Sequence, residues 1–332
     1  MTPIDLRRAS FIVPAACVAI AISSPVTASA AASAGYPAKP VRIIVGAAPG
    51  GGTDNVVRGI APRLTQILGQ QIIIDNRVGA AGSIAARLGA QAAPDGYTLM
   101  ATYATHATNL AVMKNPGYDL EREFTPISLT VVLPNMLACH PSLPVRDVKG
   151  LIALSAKRPG QIEYASGSYG GSAHLIMELF LGMTKTKMLN VPYKGFAPAV
   201  TAAIAGEVPV ILGSVVTVHP QVRAGRLRAL GVTNAKRIAA APDIPAIAES
   251  VPGYEADNWS GLLAPAGTPK DIVAKLHAAV VETLKSPEVA KRFALEGGEP
   301  MPSRTPEEFG AMIRSEVRKW AAVVKDAGIH LE

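Results

Sequence analysis

The sequence predicts an α/β fold in two domains, and three observations carry that expectation. Short apolar strands alternate with amphipathic helices across short loops, the pattern of parallel sheets with crossover helices. One unit of this pattern, strand then glycine-rich turn then helix, occurs near residue 50 and again near residue 170. The chain has 332 residues, of which 49% are hydrophobic, 17% charged and only 5% aromatic, with 30 Gly and 27 Pro. That composition excludes a disordered or fibrous chain and supports about two cores with many tight turns.

Residues 1–34 read as a secretory signal peptide. Arg7 and Arg8 form a cationic start, Phe11 to Ile22 an apolar run, and Ala28-Ser29-Ala30 a small-residue cleavage pattern. The apolar run is short for a spanning helix and contains Pro14, although an N-terminal membrane anchor is the alternative. Cleavage would leave about 298 residues. Cys139 would then be the only cysteine, which excludes an internal disulfide and suits a small buried apolar residue.

In order along the mature chain, Val41–Val45 reads as a buried parallel strand. The turn Pro49-Gly50-Gly51-Gly52-Thr53 follows, then a helix from Asp54 to Leu68 ended by Gly69. Its apolar face is Val57, Ile60, Ala61, Leu64, Ile67 and Leu68. Gln71–Asp75 is a strand, Ser83–Ala92 a helix and Tyr97–Thr102 a strand. The second unit places a helix at Val148–Lys157 and a strand at Gln161–Ser166. A glycine turn at 167–172 opens a helix to Gly182. Met188–Val191, Val208–Leu212 and Leu227–Thr233 are expected strands, with a helix at Pro198–Ala205. Helices are expected at Lys270–Lys285, from Pro287 to Leu295, and from Pro306 to about Asp326, the prolines standing at helix starts.

The two glycine turns are the candidate chemistry. A helix N-terminus has unpaired N–H groups and partial positive charge, and a glycine lead-in lets an anion come close. Two such turns facing across a cleft would hold a small carboxylate; the competing reading is ordinary turn chemistry. Thr53 and Ser172 would cap the helices or donate to a ligand. Asp54 would accept from a ligand or tie down its own loop. His174 would point at the cleft or be a hydrogen-bonded structural histidine. Neither turn has the Gly-Lys-Ser/Thr ending of a nucleotide loop, and the second lacks the first glycine of a Gly-x-Ser-x-Gly elbow. The six histidines form no zinc spacing, and dispersed basic residues argue against nucleic acid.

Several segments carry a resemblance. They include Tyr36-Pro-Ala-Lys-Pro-Val-Arg, Pro49-Gly-Gly-Gly-Thr-Asp54, Asp75-Asn-Arg, Gly79-Ala-Ala-Gly82, Pro94-Asp-Gly-Tyr-Thr-Leu99, Val191-Pro-Tyr-Lys-Gly195, Ala224-Gly-Arg-Leu-Arg-Ala-Leu230 and the run from Trp259 to Pro269. Over residues 36–330 the chain resembles the Bug-type substrate-binding proteins of tripartite tricarboxylate transporters. The resemblance implies a periplasmic, type II-like binding protein with the ligand in the interdomain cleft. Domains are expected at 36–136 plus 257–332 and at 137–256, hinged at Met136–His140 and Tyr254–Trp259. It implies a non-catalytic monomer without metal or organic cofactor that hands a small carboxylate to integral-membrane transporter subunits. A ligand sensor docking a signalling receptor would look the same, and an enzyme in the cleft is the remote alternative.

The resemblance makes Pro49, Gly50, Gly51, Gly52, Thr53 and Asp54 one jaw, and Ser166, Ser168, Gly170, Gly171, Ser172 and His174 the other. Thr102, Thr105 and His106 from the first domain and Lys194 from the second would read the rest of the ligand. The sequence departs from the family at Ala47, where an aromatic is common, and near Ala202 and Gly213, where acids are common. Lacking those acids, it is expected to prefer plain carboxylates to amino acids.

Overall fold

The computed structural model describes residues 35–295 and 297–329, so the expected signal peptide lies outside the described residues. The chain begins with β1 (Val41–Val45), α1 (Gly52–Leu68), β2 (Ile72–Asn76), α2 (Ser83–Ala90), β3 (Thr98–Tyr103), α3 (Ala104–Val112) and β4 (Phe124–Leu133). It continues through β5 (Asn135–Cys139), α4 (Val148–Lys157), β6 (Glu163–Ser166), α5 (Ser172–Thr184), β7 (Leu189–Pro192), α6 (Phe196–Ala205), β8 (Val210–Ser214), α7 (Val215–Arg223) and β9 (Arg228–Val232). It ends with β10 (Asn258–Pro265), α8 (Lys270–Leu284), α9 (Pro287–Leu295), β11 (Glu299–Pro300) and α10 (Pro306–Ala327).

Among the described residues these strands form two sheets. The first has the order β11-β4-β10-β3-β1-β2 and the second β7-β6-β8-β5-β9. Each is built around a parallel trio: β2, β1 and β3 in the first, β7, β6 and β8 in the second. Antiparallel strands widen both, β10 and β4 in the first, β5 and β9 in the second. The inner parallel strands β1 and β8 are largely apolar and buried, as strands covered on both faces are. Ile43, Ile44 and Val45 of β1 are all buried.

Six elements are not legible in the sequence. α3 follows β3 and α7 follows β8 without a turn, and β4, β5, β10 and β11 are strands for which the sequence carries no expectation. Expected helix and strand ends elsewhere move by a few residues. α1 begins at Gly52, before Asp54, because the glycine turn itself joins the helix.

The chain passes from the first sheet to the second at Pro134, between β4 and β5, and returns between β9 and β10. The expected hinge at Met136–His140 therefore falls mostly on β5, whose five residues are all buried. The two crossings are tied together. Asn135 N–H donates to Thr233 Oγ1 and Thr233 N–H to the Asn135 carbonyl, each at 3.0 Å. Thr233 Oγ1 also donates to Asp257 Oδ1 at 2.6 Å.

α10 bridges the halves. Its Phe309, Ile313, Trp320 and Val324 share one apolar cluster with Ala107 of α3 and with Leu175 and Phe180 of α5. Each fully buried large side chain there contributes about 1.5–3 kcal/mol. Glu316 of α10 accepts from both tryptophans of the chain, from Trp259 Nε1 at 3.2 Å and Trp320 Nε1 at 2.9 Å. Its other oxygen pairs with Lys319.

Candidate functional site

In open α/β sheets, ligands bind beyond the carboxyl ends of the parallel strands. The second half builds a pocket there. β6, β7 and β8 are parallel neighbours, so the helices that follow them, α5, α6 and α7, start at one edge. Their starting segments line one cavity of about 340 Å³, with Gly171, Ser172 and Ala173 from α5, Phe196 from α6 and Ser214 before α7. Gly167, Ser168, Gly213, Asn135 and Asn258 complete it. The N-caps Gly171, Gly195 and Ser214 make no side-chain capping bond, so leading amides stay open, although the first of α7, Val215 N–H, donates to the Pro134 carbonyl at 3.2 Å. No ionisable side chain lines this pocket. Its field comes from three helix N-termini, each favouring an anion by about 0.3–1 kcal/mol at an exposed site and more when partly buried.

Gly213 shapes one wall. A Cβ there would come 1.7 Å from Phe196 Cζ, so the missing side chain is what admits the ring. The other wall is polar. Ser172 Oγ donates to Asn258 Oδ1 at 3.0 Å, and Asn258 Nδ2 donates to Asn135 Oδ1 at 3.4 Å. Ser172 and Asn258 also border a narrow recess with Thr105 and Thr108 of α3 and with Trp320, which joins the pocket wall to the first half.

The first glycine turn stands at the carboxyl end of β1. Pro49, Gly50 and Gly52 are exposed, Gly51 and Thr53 half-buried, and none lines the pocket of the second turn. Neither Thr53 nor Ser172 caps its helix; Gly51 and Gly171 occupy the cap positions. Asp54 is fully buried and ties down its own loop. Its Oδ2 accepts from Gly50 N–H and Arg58 Nε, both at 2.7 Å, and its Oδ1 from Asn76 Nδ2 at 2.9 Å. Burial pushes this carboxyl up, but the bonds from Arg58, Asn76 and Gly50 outweigh it and hold it below the usual carboxylate range.

His174 is likewise structural. It is buried, and Nδ1 accepts the Gly170 N–H at 2.9 Å, while Tyr169 packs on the ring. Burial pushes its pKa down to about 4, which keeps the ring neutral and able to accept. Ser166 is buried and donates to the Ser168 carbonyl, shaping the turn.

Two expected ligand readers are displaced. Thr102 and His106 are fully buried. His106 Nδ1 accepts from Tyr103 N–H and Nε2 faces the Gly82 carbonyl, so both ring nitrogens serve the fold. Burial lowers its pKa to about 4, the Gly82 bond opposing in part. Thr105 reaches the recess beside Ser172, whereas Lys194 is exposed and outside the pocket lining.

Sequence reasoning missed Asn135 and Asn258. Their one sequence signal is a polar amide at the start of each otherwise apolar crossing strand. A wider open groove of about 940 Å³ runs between α5 and α10. It faces the C-terminal halves of both helices, the negative dipole ends, and its lining mixes Lys185, Lys187 and Lys319 with Glu178 and Asp326. Among the described residues no group of three His, Cys, Asp or Glu could hold a metal ion.

Comparison with known proteins gives the family. Residues 56–329 match the model of the tripartite tricarboxylate transporter family receptor. The chain is 34% identical to Protein BugT of Bordetella pertussis over 314 residues, 94% of each chain. The solved periplasmic binding protein BugD superposes with TM-score 0.69 at 32% identity, covering 89% of this chain and all of that one. Rpa4515 of R. palustris, solved with adipate, gives TM-score 0.72 at 37% identity over 89% of this chain and 100% of that one. The two-sheet α/β architecture is thus the two-domain binding-protein fold expected from the sequence. The chain belongs to the tripartite tricarboxylate transporter receptors, a family of periplasmic solute-binding proteins.

Proposed function

We propose that the protein captures a small carboxylate in the periplasm and delivers it to integral-membrane transporter subunits. One observation carries the ligand class: three helix N-termini converge on a pocket that no charged side chain lines. Backbone amides there neutralise a carboxylate without a counter-ion side chain. The adipate held by Rpa4515 supports the same ligand class.

In this reading the two sheets are the lobes, 36–136 plus 257–332 and 137–256, and the tied crossings are the hinge. The turn at 49–54 closes from the first lobe onto an anion seated at the second. The leader at 1–34 directs export and is removed, and the receptor works as a monomer. Binding and release require no bond to be made or broken, so the protein is a receptor without catalytic residues, metal or organic cofactor.

A thermal-shift screen with mono-, di- and aromatic carboxylates tests this reading. A ligand at about 100 times its Kd stabilises by about 2.7 kcal/mol, a clear rise in the midpoint. A complete panel without a rise at millimolar concentration rejects the carboxylate.

A further inference from the structure

We propose that capture of the carboxylate is linked to uptake of a proton, and that Asp257, at the return crossing, is the side chain that takes it. This rests on the carboxylate-receptor reading above and adds a second, coupled ligand to it.

Asp257 stands one residue before β10, next to Asn258 of the pocket wall. It lines the narrow recess between α3 of the first half and α5 of the second, and that recess shares Ser172 and Asn258 with the pocket. Its carboxyl meets both crossings through one hydroxyl. Thr233 Oγ1 accepts from Asn135 N–H at 3.0 Å and lies 2.6 Å from Asp257 Oδ1 and 3.3 Å from the Asn135 carbonyl.

That hydroxyl has one proton and two lone pairs. Beside an ionised Asp257 the proton goes to the carboxylate, and the Asn135 carbonyl loses it. A protonated Asp257 donates instead to Thr233 Oγ1, whose own proton turns to the Asn135 carbonyl. Every site on the hydroxyl is then used, and a further bond ties the two crossings. Both states fit the same heavy-atom positions, so the proton can come and go without rearranging the hinge.

The surroundings decide which state an anion favours. Burial raises the Asp257 pKa to about 7; the Thr233 bond and Lys319 oppose the rise, and Glu255 and Glu316 add to it. Lys319 is shared with Glu316 and the Glu255 carbonyl. Burial holds the neighbouring Tyr254 phenol protonated, and among the described residues no other side chain lining the recess titrates. A carboxylate seated in the pocket adds negative charge, and closure of α3 toward α5 removes water from the recess. Both disfavour the ionised form of Asp257. Binding therefore draws a proton onto it, and the anion enters without facing a second buried negative charge.

Titration calorimetry with propionate, adipate and benzoate, all ionised above about pH 6.5, decides the matter. For each acid that binds, affinity should fall about tenfold between about pH 6.5 and 8.5, one decade for each unit by which binding raises the Asp257 pKa. Titrations at about pH 7.5 in two buffers of different ionisation enthalpy should count about half a proton taken up per acid bound. Asp257→Asn should bind with an affinity that no longer varies with pH, and its proton uptake should vanish. Thr233→Val removes the hydroxyl that favours ionisation. It should move the fall to higher pH, which locates the proton even if Asp257→Asn fails to fold. A level wild-type profile, or a fall that Asp257→Asn retains or Thr233→Val leaves unmoved, overturns the proton link and leaves the carboxylate receptor standing. Binding of no acid in a broad carboxylate panel overturns both.

Discussion

Asp54 and His174 occupy the same place in the two halves. Each is the third residue of its helix, and each accepts the N–H of the glycine four positions earlier, Gly50 at 2.7 Å and Gly170 at 2.9 Å. Both glycines have φ in the left-handed region, 79° and 70°, where a side chain would be strained. A carboxylate and an imidazole thus staple equivalent turns, each leaving its helix N-terminus uncapped.

Removing a staple should loosen a turn and cost stability. His174→Ala leaves the buried Gly170 N–H unpaired and should cost about 1–3 kcal/mol. Asp54→Ala should likewise cost about 1–3 kcal/mol. Urea denaturation measures both, and an unchanged midpoint in either variant contradicts its stapling role.

Stability should fall on acidification below about pH 6.5, the ordinary histidine value. His106 and His174 have folded pKa values pushed down to about 4, so the unfolded chain takes up their protons first. Their contribution is complete above about 6.5 and is lost as pH falls through 4. Asp257 acts with the opposite sign. Burial raises its pKa to about 7, with Glu255 and Glu316 adding to the rise and the Thr233 bond and Lys319 opposing it. Its contribution is present at low pH and is lost as pH rises through 7. Between about pH 4 and 6.5 the two histidines outweigh Asp257, so thermal midpoints should rise to a maximum near pH 6.5, dip slightly to about pH 7 and change little above it. Asp257→Asn should steepen the acid rise and remove the dip.

The Phe196 wall depends on Gly213. Gly213→Ala should displace the ring, cost about 1–3 kcal/mol by overpacking and weaken ligand binding about tenfold. Adding Phe196→Ala should recover part of that stability, a coupling a double-mutant cycle detects. Additive costs would mean that the ring and the glycine are independent.

Glutamate and aspartate should bind poorly, because the pocket lining offers no acid to an ammonium group. Calorimetry showing micromolar affinity for either would refute this expectation.

The fold was legible where periodicity and punctuation agreed. α10 announced itself by Pro306 and by a face running from Phe309 to Val324 at three- and four-residue spacing. β10 did not, because Trp259 to Pro265 is buried on both faces and shows no alternation. α3 lacked a Ser or Asp cap; Tyr103, extended, gives its N–H to His106 instead. The site divided in the same way. The glycine turns are local and could be read, whereas Asn135 and Asn258 are 123 residues apart and acquire meaning only when the crossings bring them together. Asp54 and His174 were visible as polar groups at helix starts, but their direction, inward to the turn, is a tertiary fact.

The shared carboxylate of Glu316 has a spectroscopic consequence. Both indoles of the protein are anchored to one residue, and Trp320 borders the recess beside Ser172 and Asn258. Any movement of the crossings alters the surroundings of both fluorophores at once. Intrinsic emission therefore offers an unlabelled gauge of the proposed lobe closure, which stopped-flow mixing with a carboxylate would time.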